Sequence, residues 1–113
     1  MDASTYRKLL ETSIDDLLAN LGSDLQVGYF SPTSYRDAVR AGREWMTENT
    51  ERIRASLCPR LETIDLDSRP PEVVAAIADL IASLKNIPSV ATVSVLIYRY
   101  GVDSFCRGWS PSD

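Results

Sequence analysis

Between Tyr35 and Leu57 the apolar residues hold a single helical phase. At 100° per residue, Tyr35, Val39, Met46, Ile53 and Leu57 stay within one narrow sector. The phase survives the polar run "TENTE" at positions 47–51, so one helix, bent near Asn49 if anywhere, fits better than two. Ser31-Pro32 reads as its start, with serine as N-cap and proline in the first turn. Counted from there, the rod is about 39 Å long at 1.5 Å per residue, roughly the full width of a domain of this size. Gly42 falls on the inward face, where it would let a neighbouring helix come close.

The segments on either side also carry helical spacing. In "STYRKLLETSIDDLLANLG", Tyr6, Leu10, Ile14, Leu17, Leu18 and Leu21 predict one helix, with Ser4 as cap and Gly22 as a left-handed terminator. "CPRLETIDLDSRPP" reads as a loop, because Pro59, Pro70 and Pro71 forbid a continuous helix. In the next helix Pro71 suits the first turn. Val73, Val74, Ile77, Leu80, Ile81 and Leu84 face inward, and Asn86 closes it.

The most apolar stretch, "SVATVSVLIYRYGVDSFC", is rich in β-branched residues, which favours a strand. Its alternation fails, however, and no partner strand is evident. As a helix capped by Ser89, it places Val90, Val93, Leu96, Ile97 and Tyr100 on one face. Gly101 then stands at C′ and Val102 at C″ of a Schellman closure. The run is too short and mixed for a span of about 20 residues. The expected fold is all-α: a compact four- to six-helix bundle. Residues 1–106 form a single helical interaction domain, and 107–113 a tail or the start of a linker.

Composition excludes more than it selects. Charged residues are 25 % of the 113, with a net charge of −4, which disfavours sequence-independent binding to nucleic acid. No polybasic run points to an anionic membrane surface. Histidine is absent, removing the commonest general base and metal ligand. Cys58 and Cys106 form no CxxC pair, so neither a metal nor a cofactor is expected. The start "MDASTYRKLL" has no signal-peptide pattern. Together these predict a cytoplasmic protein with two reduced, mostly buried thiols and no Cys58–Cys106 disulfide.

No catalytic constellation emerges: no GxSxG elbow, no Gly-rich phosphate loop, no nucleophile with a base. Asp15-Asp16 point about 100° apart on a helix and read as a solvated face. The same bland reading applies to Arg36, Arg40, Arg43 and Arg54, which share a sector of about 60°, beside the acidic stripe Glu44, Glu48 and Glu51. The alternative is a charged docking surface, since arginine's planar fork pairs with carboxylates. Glu11, Asp15 and Asp16 are then its complement, on another copy or on a partner. Trp45 reads as core or as an aromatic anchor at the interface. Trp109 either packs over the bundle end or stays exposed.

The segment "GREWMTENTERIRASLCPRL", followed by "EVVAAIADLIASLKNIPSVATVSVLIYRYGVDSFC", resembles the small helical effector-associated domains of bacterial conflict systems. The features are a Trp-containing helix ending in Leu57-Cys58-Pro59, an Ala-rich apolar helix, and a last helix closing as Tyr-Gly-Val-Asp-x-Phe-Cys. The resemblance covers roughly the C-terminal two thirds. It implies a death-fold-like bundle that recruits an effector through like-with-like contacts, with no catalytic residues to carry over. The expected function is therefore a protein–protein adaptor, not an enzyme. Its partner is another protein or a second copy, with no nucleic acid, membrane or metal. The competing reading is a free-standing regulator, such as an immunity protein or antitoxin, that masks a partner.

Overall fold

The structure, a computed structural model of the chain, describes residues 3–25 and 34–109. Among the described residues six α-helices follow one another: α1 (Ala3–Leu10), α2 (Ile14–Leu25), α3 (Tyr35–Leu57), α4 (Pro70–Ile81), α5 (Val90–Tyr100) and α6 (Val102–Cys106). A 3-10 turn, Cys58–Thr63, continues α3. No strand occurs among the described residues, so the all-α expectation holds. No helix among them is long and apolar enough to cross a membrane.

The long rod is one helix of 23 residues, about 35 Å by its rise. Ser34 caps it, its Oγ accepting the Asp37 N–H at 3.1 Å. The expected Ser31-Pro32 start lies outside the described residues. Its inward face buries Ala38, Val39, Gly42, Trp45, Met46, Ile53 and Leu57.

The N-terminal segment is two helices, not one. Ser13 interrupts the helix because it caps a new start: its Oγ accepts the Asp16 N–H at 3.1 Å, and its carbonyl accepts Leu17 N–H at 2.9 Å. Asp15 and Asp16 then occupy the first turn of α2, where carboxylates complement the helix dipole. The break lets α1 leave the line of α2 and pack on α4 and α5. Ser4 lies inside α1 rather than before it.

Gly22 does not terminate a helix. It sits inside α2, opposite Gly42 of α3. A Cβ on Gly22 would overlap the Ala38 carbonyl oxygen and reach within 3.0 Å of the Gly42 nitrogen. A Cβ on Gly42 would overlap the Leu18 carbonyl oxygen. The two helices thus touch backbone to backbone, which only paired glycines permit.

Helix α4 starts with Pro70 and Pro71 in its first turn and buries Val73, Val74, Ile77, Ala78 and Ile81. Leu80 and Leu84 are half-buried, and α4 ends at Ile81 rather than near Asn86. Asn86 instead turns the chain toward α5 with φ +64°. Helix α5 is capped by Ser89, whose Oγ accepts the Thr92 N–H at 3.2 Å, and it is buried on every side from Ala91 to Ile97. The expected helix is there, and continuous burial explains why its sequence is apolar on every face: α5 is the central helix. Its two buried polar side chains are satisfied, Ser94 by the Val90 carbonyl at 2.7 Å and Thr92 by the Ser89 hydroxyl at 3.0 Å.

Gly101 ends α5 with φ +98° and ψ +116°, outside the left-handed helical well. No Schellman pair forms, since Val102 begins α6 instead of folding back. Val102 is nevertheless buried, at 5 % exposure.

Two substitutions test this packing. Gly42→Ala should lower stability by about 1–3 kcal/mol in a denaturant titration, although alanine is the better helix former by about 1 kcal/mol. A gain would mean that the helices do not touch at Gly42. Gly101→Val should cost about 1 kcal/mol or more by the same measurement, because a β-branched residue resists positive φ.

Candidate protein-interaction surface

The α2–α3 crossing brings the acidic start of α2 beside the start of α3. Arg43 Nη2 stands 3.8 Å from Asp15 Oδ1, both side chains well exposed. Tyr35 donates its hydroxyl proton to Asp16 Oδ1 at 2.6 Å. Asp15, Tyr35, Arg36, Val39, Arg40 and Arg43 line one open groove. Tyr100 of α5 faces the same charges, and burial pushes its phenol up, with Arg43 opposing and Asp15 adding to the shift.

Arg36 and Arg40 are exposed and form no ion pair among the described residues. Tyr35 and Tyr100 are 55 % and 42 % exposed. The surface therefore combines forked cations, two aromatic rings and two carboxylates, the side-chain types enriched or steering at protein interfaces.

Not every residue expected on the docking face belongs to it. Trp45 is 8 % exposed and part of the core, so it is no surface anchor. Arg54 turns away: its side chain is 18 % exposed, pairs with Glu51 at 3.1 Å and donates Nη2 to the Arg107 carbonyl at 2.7 Å. It fastens α3 to the chain after α6. Glu11 is exposed in the turn between α1 and α2, in no ion pair among the described residues. Tyr35 and Tyr100 were assigned to apolar faces by spacing, but each lies at a helix end beyond the reach of the core.

The thiol expectation is overturned. Cys58 and Cys106 are joined in a disulfide, and neither is fully buried. Their 48-residue separation hid the pairing, which follows from α3 and α6 ending side by side. Trp109 is half-buried, its backbone N–H donating to the Cys106 carbonyl at 3.0 Å, so the fold extends past residue 106. Residues 110–113 lie outside the described part. No group of three or more His, Cys, Asp or Glu that could hold a metal occurs among the described residues.

No protein-family model, curated protein or solved structure matches this chain. Functional assignment therefore rests on the surface itself.

Asp16 holds the Tyr35 phenol up, to about 12, chiefly through their hydrogen bond. The phenol is protonated in that bond, so its contribution to stability is present below pH 10 and fades as pH rises through 12. Asp16→Asn should bring the Tyr35 titration back toward the ordinary value near 10, followed by NMR of the ring carbons. An unmoved titration would show that the bond does not persist in solution.

Proposed function

We propose that this protein is an interaction module that couples an effector in a bacterial conflict or signalling system, acting in the cytoplasm without catalysis of its own. The contact is made by the α2–α3 face, with a second copy of the chain as the partner. A death-fold-like bundle is part of the same reading, carried by the sequence resemblance.

One observation carries the proposal: Arg36 and Arg40, which form no ion pair among the described residues, stand next to the acidic start of α2. A surface with adjacent positive and negative halves is complementary to itself. A two-fold axis through it sets the arginines of each copy against Asp15 of the other. The tyrosines at its edges supply apolar area at low entropic cost.

Charge steering also gives a salt-dependent signature. Sedimentation velocity should show self-association at low salt that weakens at high salt. Arg40→Glu with Arg43→Glu should make the protein monomeric while its thermal melt stays nearly unchanged, since exposed pairs contribute about 0–1 kcal/mol. Mixing that double variant with Asp15→Lys should restore a heterodimer. A wild-type protein that remains monomeric at low salt and high concentration would rule out the like-with-like contact.

A further inference from the structure

Two fastenings run side by side between the C-terminal ends of α3 and α6. One is the Cys58–Cys106 disulfide, with Cα atoms 5.6 Å apart, well within reach of such a bond. The other is Arg54, one turn earlier in α3, which donates to the carbonyl of Arg107, the residue after Cys106.

Apart from these, α6 has little to hold it. It is five residues long, and Val102 is its buried side chain. Phe105 and Cys106 are only partly covered. A helix this short has no stability of its own. The fully buried large side chains (Leu17, Leu18, Leu21, Ile53, Ile77 and Leu96 among them) come from α2, α3, α4 and α5. The disulfide therefore secures an accessory helix that supplies none of the large fully buried side chains. Both cysteines are half-buried, within reach of a reagent.

We infer that Cys58 and Cys106 are a redox-active pair whose disulfide latches α6 to the end of α3. The reaction partner is a dithiol reductant. Its thiolate attacks one cysteine sulfur, forming a mixed disulfide and releasing the other cysteine as a thiolate, which takes up a proton. The reductant's second thiol then attacks the mixed disulfide and leaves as the reductant's own disulfide, while the second cysteine is protonated. Two electrons and two protons thus pass to this protein. The reduced protein keeps its bundle but loses the covalent hold on α6, leaving the Arg54–Arg107 hydrogen bond as the remaining fastening. Release unseats Val102 beside Leu66 and Tyr98, with which it lines one groove. A cycling pair also accommodates a disulfide in a reducing compartment, where such bonds are transient or redox-sensing. This inference rests on different residues from the arginine face, so the two stand or fall separately.

Hydrogen exchange read by mass spectrometry tests it. Protein oxidised with glutathione disulfide is compared with dithiothreitol-reduced protein and with the Cys58→Ser, Cys106→Ser double variant. Amides of residues 102–107 should exchange about tenfold faster or more in both forms that lack the disulfide, while α2, α3 and α5 stay within about twofold. Reoxidation of the wild type should restore the slow exchange. Loss of protection throughout the molecule would make the disulfide a structural staple and overturn the latch. Unchanged exchange in α6 would overturn it too, as would two free thiols titrated after glutathione disulfide treatment.

Discussion

The backbone contact between α2 and α3 at Gly22 and Gly42 is the constraint from which the rest of the surface follows. With side chains at either position the helices would separate, and the start of α2 would move off the start of α3. The Asp15–Arg43 pair and the Tyr35–Asp16 hydrogen bond both depend on that registration. So does the alternation of charge on which docking relies. Two residues without side chains thus decide which side chains meet.

Much of the fold was legible because periodicity reports burial. The span of α3 from Tyr35 to Leu57, the prolines at the start of α4 and the Ser89 cap of α5 were each readable from local grammar. The break at Ser13 was not, because the apolar phase happens to continue across it; the readable sign was a serine followed by two aspartates, a capping pattern. Gly22 was read as a terminator because glycine serves both roles, and only the partner helix distinguishes them. The docking face was partly legible. Spacing placed Arg36, Arg40 and Arg43 together, but Arg54 leaves their company to bond Arg107, and Trp45 goes inside. The disulfide was illegible because compartment is a poor guide to geometry, and the two cysteines meet only through tertiary structure.

Several arginines work as fasteners rather than as surface charge. Arg52 donates to the Lys85 carbonyl and to Asn49, whereas Arg54 donates to the Arg107 carbonyl. Arg99 reaches the carbonyls of Leu10 and Thr12, at 3.1 and 2.8 Å. The Leu10, Thr12 and Arg107 carbonyls lie at or just beyond a helix end, where backbone acceptors lack intrahelical partners, and that of Lys85 lies in the turn after α4. Ser56 does the same for Leu80 at the end of α4, at 2.7 Å. Cationic caps on remote helix ends join elements that share little apolar area, and they separate the arginines available for docking from those committed to the fold.

The bond from Arg99 to Leu10 and Thr12 joins residues 89 and 87 positions apart. Helix α1 packs on α4 and α5, while α2 and α3 pack chiefly on each other. A chain emerging from the ribosome therefore completes the α2–α3 hairpin first. Helix α1 is made ahead of its docking site, since α4 and α5 both follow the α2–α3 pair in the chain. During that interval the apolar side of α1, with Tyr6 and Leu10, is open to other chains and to chaperones.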